Sequence, residues 1–343
     1  MTKAKNKRLA QIWRSVEQML DEPVLDIKTP GGSARASCRV VLRDRTVIAT
    51  SRPNFRRTHV EARVLKNLSA ICPHVPKFIA LQDNVLLQSD VGGKRLSETV
   101  HATNPGRRKD LAADAVDAIF RIHQASRTAL DGVTLPPLGN SDTWISALVE
   151  GAEVLDQYGE TVSDRLDTAA LAEALQAEPR QFVKWDCRSG NAAVNPANQL
   201  CWFDFEYCGR RHGAEDLAWL IGDESWPVFP EDMFEIVKDN FPKSGFGPLE
   251  GYMDYLALYT TFHALKRLEL VLDETKRRGW RTKARIIERD DVGRNPEFGA
   301  NICIVGAYCA DRSALTKPLV NPFLRAASHF ADILYGRSDQ KSA

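Results

Sequence analysis

Hydrophobic positions follow two different periods along the chain, and the change falls near residue 95. Before it, short apolar runs predict β-strands at residues 24–28, 38–43, 46–51, 78–81 and 84–88. Two segments in this part have helical spacing instead, 6–20 and 58–68. Thr58 and Glu61 are spaced as a capping box, which predicts that the second helix begins at Thr58. We therefore expect a small antiparallel sheet with a leading helix and one further helix.

Beyond residue 95 the spacing of apolar residues becomes mainly helical. Helices are predicted at residues 108–126, 141–157, 167–177, 214–222, 231–239, 250–273 and 316–335. A β-rich island at 180–206 interrupts them, with short strands near 182–183, 192–194 and 200–203. Two unlike lobes joined by one short connection would leave a cleft, which is a usual place for a ligand.

Composition and charge place the chain among ordinary globular proteins. Its 343 residues are 43% hydrophobic and 27% charged, and the net charge is +1. This balance gives no electrostatic reason to expect nucleic-acid or membrane binding, and no apolar run approaches the ~20 residues that span a bilayer. The basic run at 276–285 is expected to be a solvated connector. Seven cysteines without a CxxC pair indicate reduced thiols, so we expect a cytoplasmic protein.

The β-rich island carries the polar residues with the most specific spacing. Asp186 is followed five positions later by Asn191, and Asp204 comes directly after an apolar strand. Each residue alone could cap a loop. Two carboxylates and an amide brought together by a hairpin would instead form an oxygen-only site that suits Mg²⁺. Phosphoryl transfer needs such a set, with Asn191 and Asp204 holding magnesium and Asp186 acting as the base.

The order of these residues resembles a known family. The pattern D-x-x-x-x-N followed by F-D-F-E is similar to the core of aminoglycoside phosphotransferases and choline kinase-like enzymes, which share the protein kinase fold. Four further segments match in order: EARVL at 61–65, LLQSDVGG at 86–93, IFRIH at 119–123 and GAEDLA at 213–218. The resemblance implies a two-lobe protein kinase-like α+β fold, with an N-terminal lobe over 1–90 and a helical lobe over 91–343. It also implies that Asp216 supports the catalytic loop.

The chain departs from the family pattern at three positions. Lys184 stands where a His is usual, and Trp185 replaces a usual Gly or Arg. The lysine expected on the third strand is missing, and Ser51 with Arg52 occupies its place. Glu61 would then need Arg52 or Arg35 as its cationic partner. The segment 31–40, with the pattern S-x-R-x-x-x-R-V, resembles a branch of the family that lacks this lysine and includes bacterial sugar kinases acting on amino-sugar hydroxyls.

The resemblance implies an ATP- and Mg²⁺-dependent phosphotransferase acting on a hydroxyl of a small molecule, with GTP as an alternative donor. The acceptor would be an amino sugar, an aminoglycoside or an amino alcohol. The residues expected to bind the nucleotide are Gly31, Gly32, Ser33, Arg35, Arg52 and Glu61. The acidic residues nearest the site, Glu206, Asp223 and Glu224, are candidates for a cationic acceptor, with a solvated surface as the alternative.

Two other functions stay open from the sequence. A pseudokinase that binds nucleotide and regulates a partner is favoured by the missing lysine, while retention of Asp186, Asn191 and Asp204 opposes it. The third is transfer of a nucleotidyl group on the same fold. The sequence leaves the oligomeric state undetermined.

Overall fold

The first part of the chain folds into the small antiparallel sheet that the apolar runs predict. The structure, a computed structural model, describes residues 3–29, 35–139, 141–176 and 180–336. The strands are β1 (Asp26–Lys28), β2 (Ser37–Val41), β3 (Thr46–Thr50), β4 (Phe78–Gln82) and β5 (Val85–Ser89). They are ordered β1-β2-β3-β5-β4, and every neighbouring pair is antiparallel.

Two helices accompany this sheet, α1 (Lys3–Leu20) and α2 (Phe55–Leu68). The helix α1 buries Ile12 and Val16 against the inner face of the sheet. The predicted capping box is wrong, because α2 begins earlier and its N-cap is Asn54, whose side chain accepts the Arg56 N–H. Thr58 and Glu61 both lie buried inside the helix, which leaves the Glu61 carboxylate available for contacts outside α2.

The second part is the helical lobe. It opens with β6 (Lys94–Arg95), and its helices are α3 (Leu96–His101), α4 (Pro105–Ala129), α5 (Asp142–Glu150), α6 (Thr168–Ala174), α7 (Ala214–Ile221), α8 (Pro230–Asn240), α9 (Leu249–Arg278), α10 (Lys283–Arg289), α11 (Pro296–Ala310) and α12 (Val320–Leu334). The remaining strands are β7 (Gln181–Val183), β8 (Ala192–Val194), β9 (Leu200–Trp202) and β10 (Gly209–Arg211). Among the described residues, no helix is both long and apolar enough to span a membrane.

The main differences from the predicted elements lie in this lobe. The helix predicted at 141–157 is α5 continued by a 3-10 segment, Gly151–Tyr158. The basic run at 276–285 is exposed and contains the link between α9 and α10, as predicted, although its two ends belong to these helices. The strand β10 was not predicted, and it pairs with β7. Its short, charged sequence has no alternating apolar pattern that could have identified it.

The two lobes share a hydrophobic core. Buried residues of α2, including Leu65 and Leu68, belong to the same apolar cluster as Leu111 and Phe120 of α4. The architecture is the predicted two-lobe α+β fold, and the division between lobes after residue 90 stays a prediction. The smaller cluster between α1 and the sheet is separate.

We predict that Ile12→Ala lowers the free energy of unfolding by about 2–5 kcal/mol, because a fully buried aliphatic side chain leaves a cavity when it is truncated. Leu25→Ala is the control, since Leu25 is exposed and its loss should change stability by less than about 0.5 kcal/mol. Denaturant titration followed by circular dichroism measures both. Equal effects of the two substitutions would show that α1 is not docked on the sheet.

Candidate active site

The loop of residues 184–191, here called the catalytic loop, joins β7 to β8. The antiparallel pairing of β8 with β9 places the residues before β8 beside those after β9. The Phe203 N–H donates to the Asn191 carbonyl at 2.9 Å, so Asn191 lies next to the segment that carries Asp204. The Asn191 Nδ2 also donates to the Asp186 carboxylate at 2.8 Å. The hairpin therefore brings the three predicted residues into one region.

The helix α7 fixes the catalytic loop at both ends. At the start of α7, the Asp216 carboxylate accepts the backbone N–H groups of Lys184 and Trp185 at 2.8 and 2.7 Å. Just after α7 ends, the Asp223 carboxylate accepts the N–H and the hydroxyl of Ser189 at 3.0 and 2.7 Å. The support from Asp216 agrees with the resemblance, whereas the role of Asp223 was not predicted.

These anchors hold a backbone that is unfavourable for its residues. Trp185, Asp186 and Asp204 have positive φ angles of 55°, 48° and 64°, and this conformation is strained for a bulky side chain such as Trp. Asp216 is itself held by the buried His123, whose Nε2 lies 2.8 Å from Oδ2. His123 therefore has a structural role, because it holds the carboxylate that anchors the catalytic loop.

The Asp186 carboxylate lies between two donors at the cleft. Its Oδ1 accepts the Arg188 Nε–H at 2.9 Å, and its Oδ2 accepts from Asn191. Burial opposes ionisation of Asp186, but Arg188 and Lys184 outweigh it and hold the pKa of Asp186 below its ordinary value. The carboxylate is therefore ionised and oriented at neutral pH. Arg188 was not predicted, because its spacing from Asp186 along the chain does not reveal that the two side chains meet.

Lys184 does not bind the Asp186 carboxylate. Its buried ammonium donates to the carbonyl oxygens of Trp185 and Asp186 at 3.4 and 3.2 Å. It also lies 5.5 Å from the centre of the Phe205 ring, within the range of a cation–π contact. Lys184 thus links the catalytic loop to the segment after β9.

Arg52 joins the two lobes through three carboxylates. Its guanidinium forms an ion pair with Glu61 of α2, donates to Asp204 at 2.8 Å, and lies 3.1 Å from Glu206. Burial lowers the pKa of Arg52, but the three carboxylates outweigh it and raise that pKa, so Arg52 stays charged. Of the two cations considered for Glu61, the structure pairs Arg52 with it.

Arg35 is directed elsewhere. Its Nη2 lies 3.2 Å from the carboxylate of Asp290, which follows α10. The turn residues Gly31, Gly32 and Ser33 lie outside the described residues, so their assignment as phosphate-binding residues stays a prediction.

The three acidic residues considered for a cationic acceptor are all engaged within the protein. Glu206 faces the Arg52 guanidinium, and Asp223 anchors the catalytic loop. Glu224 forms a two-point ion pair with Arg267 at 2.7 and 2.8 Å and accepts the Gly293 N–H. Burial opposes ionisation of Glu224, but Arg267 outweighs it and lowers the pKa of Glu224 to about 2. These three residues are therefore neither part of a solvated surface nor free to bind a cationic acceptor.

The donor set fits a hard divalent cation. Asp204 uses Oδ1 for Arg52 and keeps a third of its side chain exposed. The amide nitrogen of Asn191 donates to Asp186, and no hydrogen bond from the described residues reaches its amide oxygen. Within that same part of the chain, no three His, Cys, Asp or Glu side chains lie close enough to hold a metal on their own. Two protein oxygens are what Mg²⁺ needs when phosphates and water supply the rest.

The fold and this cleft define a phosphotransferase of the kinase-like class. Residues 27–240 match the phosphotransferase enzyme family, APH, and the chain belongs to that family. The predictions of this family and of a small-molecule kinase are therefore confirmed. No curated protein matches the chain.

Solved structures agree on the fold. A choline/ethanolamine kinase family protein from Mesorhizobium loti superposes with a TM-score of 0.55 at 14% identity, over 95% of this chain and 99% of that chain. The GDP complex of aminoglycoside 2′-phosphotransferase-IIIa superposes with a TM-score of 0.54 at 13% identity, over 82% and 97%. At these identities the likeness shows the kinase-like fold alone.

We predict that Arg52→Met lowers the free energy of unfolding by about 3–5 kcal/mol, because it leaves the buried Glu61 without a cation. Arg52→Lys should cost about 1.5–3 kcal/mol, since one ammonium cannot replace all the charge-assisted hydrogen bonds of the guanidinium. Denaturant titration measures the change. The control is Arg45→Met, which removes an exposed pair with Glu22 and should cost less than about 1 kcal/mol. Equal stability of all three variants would contradict the linking role of Arg52.

Proposed function

We propose that the protein transfers the γ-phosphate of ATP, with Mg²⁺, to a hydroxyl of a small molecule. The acceptor class is an amino sugar, an aminoglycoside or an amino alcohol, and GTP is an alternative donor. The observation that carries this proposal is the Asp186 carboxylate, which is ionised, oriented by Arg188 and Asn191, and next to the segment that bears Asp204. A pure binding protein has no use for a base in this position.

Asp186 would act on the acceptor. Its carboxylate accepts a hydrogen bond from the acceptor hydroxyl, aligns the oxygen and takes its proton as the oxygen–phosphorus bond forms. The bond between the γ-phosphorus and the bridging oxygen breaks, and ADP leaves. The lowered pKa of Asp186 keeps the carboxylate ionised at neutral pH, so that it can both align the hydroxyl and accept its proton.

Asn191 and Asp204 would hold the metal. When bound there, Mg²⁺ would neutralise phosphate charge during transfer. Arg52 would serve through Asp204, because its guanidinium already faces three carboxylates and keeps one oxygen of Asp204 fixed. Glu61 would orient Arg52. Arg35 and the turn Gly31–Gly32–Ser33 would then be the groups that contact phosphates directly.

Acceptor-dependent ADP release, measured over a panel of amino sugars, aminoglycosides and amino alcohols, distinguishes this proposal from a pseudokinase. The proposed enzyme should release ADP with at least one acceptor, and a pseudokinase should release it with none. Nucleotidyl transfer would instead give an AMP-labelled product. The absence of nucleic-acid and membrane partners and the cytoplasmic location remain predictions. All seven cysteines are buried free thiols.

We predict that Asp186→Asn lowers turnover by about 10²–10⁴-fold, because the variant removes the proton acceptor. Its affinity for Mg-ATP should stay within a few-fold, since Asn191 and Asp204 remain. Acceptor-dependent ADP release and calorimetric titration measure the two quantities.

The matched comparison is Asp204→Asn, the same chemical change on the other carboxylate. It should weaken Mg-dependent nucleotide binding and reduce the stabilisation by saturating Mg-ATP, about 2.7 kcal/mol at 100 times the dissociation constant. Full turnover by Asp186→Asn would remove Asp186 as the base.

We also predict the pH dependence of turnover. A base works only when ionised, so activity is lost as pH falls through its pKa. Because Arg188 and Lys184 outweigh burial and lower the pKa of Asp186, the wild-type rate should not fall between pH 8 and 5 on account of this group. Arg188→Met should raise that pKa and move the acid limb to higher pH, while Arg188→Lys should move it less. Coincident acid limbs in the profiles of kcat against pH would contradict the assignment.

A further inference from the structure

Three arginines from separate parts of the chain surround one carboxylate beside the catalytic loop. Oδ2 of Asp290 lies 3.2 Å from Arg35 Nη2 and 3.7 Å from Arg95 Nη1, and its Oδ1 lies 3.7 Å from Arg188 Nη1. Arg35 Nη2 also donates to the backbone carbonyls of Arg289 and Asp290 at 3.2 and 3.0 Å. Arg35, Arg95 and Arg188 are here called the arginine cluster.

The Asp290 side chain is packed tightly against the catalytic loop. The residue follows α10 with a left-handed backbone, φ 48° and ψ 50°, and its side chain is only 8% exposed. A Cβ at Gly190 of the catalytic loop would lie 2.0 Å from the Asp290 Oδ1. Only glycine at position 190 therefore leaves room for this carboxylate, which places Asp290 directly against the catalytic loop.

The arginine cluster spans both lobes at the cleft. Arg188 belongs to the catalytic loop and is bonded to Asp186. Arg95 is paired in β6 with Ala193 of β8, just after that loop ends. Arg35 lies two residues before β2 of the N-terminal sheet. Asp290 thus contacts an arginine from each of these three parts of the chain.

Within ion-pair distance the cluster has three guanidinium groups and two carboxylates, Asp186 and Asp290. Among the described residues, Asp290 is the acidic side chain that pairs with Arg35 and Arg95, while Arg188 is also under the influence of Asp223 and Glu224. Burial raises the pKa of Asp290, even though the three arginines act to lower it. The ionised form of Asp290 is therefore less stable here than in water. The three arginines could instead bind an anion of higher charge in its place.

We propose that Arg35, Arg95 and Arg188 form a phosphate-binding site, which the Asp290 carboxylate occupies in the free protein and leaves when the phosphates of a nucleotide bind. This inference rests on the proposed function, because it takes the ligand to be the phosphate-donating nucleotide. Guanidinium groups bind phosphate oxygens with the same geometry as carboxylate oxygens, so the exchange needs no new type of contact. Asp290 acts as an internal competitor: it occupies the arginine cluster when no nucleotide is bound and thereby lowers the affinity for nucleotide.

The test compares wild type with Asp290→Asn, using ADP and inorganic tripolyphosphate as probes in calorimetric titrations. Removing the competing carboxylate should tighten binding of both probes by roughly 10-fold, the lower range for one charge-assisted hydrogen bond. Asp311→Asn is the control, because it removes the same charge from an exposed residue whose partner is Lys317. Its affinity for both probes should stay within two-fold of wild type.

Hydrogen exchange supplies a second readout that does not depend on activity. In wild type, ADP or tripolyphosphate should make the amides of residues 288–292 exchange faster, because Asp290 leaves the cluster on binding. Asp290→Asn without ligand should show the fast exchange already. If Asp290→Asn folds poorly, Arg35→Gln breaks the same contact from the other side and should give the same fast exchange, with weaker rather than tighter binding of both probes.

The two proposals fail in different ways. If wild type binds ADP but Asp290→Asn binds it no more tightly, or if residues 288–292 become protected on binding, the displacement of Asp290 is refuted and the proposed function stands. If wild type binds tripolyphosphate with the predicted exchange response but binds no nucleotide, the phosphate site stands and the proposed function fails. If neither probe binds, both are refuted.

Discussion

The cleft depends on one buried guanidinium. Arg52 contacts Glu61 of α2 and both acidic residues of the segment after β9, and Glu61 in turn accepts the Phe205 N–H at 3.0 Å. The helix of one lobe and the loop of the other are therefore fixed at a single point. Buried ion pairs add little net stability, since desolvation offsets their attraction. The main effect of Arg52 is orientation, because its planar fork sets where the Asp204 carboxylate points.

The conformation of the catalytic loop is likewise imposed by contacts from outside it, here by hydrogen bonds. Positive φ angles at Trp185 and Asp186 cost about 1–3 kcal/mol each. The carboxylates at the two ends of α7 provide the compensation, since each accepts two hydrogen bonds from the loop. A rigid helix thereby imposes a conformation that the loop sequence alone would not adopt.

The features that could be predicted from the sequence are those that depend on residues close together along the chain. The helices and the first sheet follow from apolar periodicity, and Asp186, Asn191 and Asp204 were found together because one hairpin joins them. The capping box failed because α2 begins earlier, after Asn54, so that Glu61 lies well inside the helix and pairs with Arg52 instead. Contacts such as Arg35 with Asp290, 255 positions apart, or Glu224 with Arg267, depend on how whole helices pack. No local pattern could have indicated them.

The distribution of charge in the cleft separates recognition of the donor from recognition of the acceptor. Glu206 shares Arg52 with Glu61 and Asp204, Asp223 is committed to the catalytic loop, and Glu224 is paired with Arg267. At the arginine cluster, by contrast, guanidinium groups outnumber the carboxylates within ion-pair distance, which are Asp186 and Asp290. An anionic donor therefore has an electrostatic attraction to this site that a cationic acceptor does not obtain from these three carboxylates. Acceptor selection must then rest on the shape and hydrogen-bonding groups of the helical lobe around Asp186, where each unpaired polar group of a wrong acceptor would carry its full cost of desolvation.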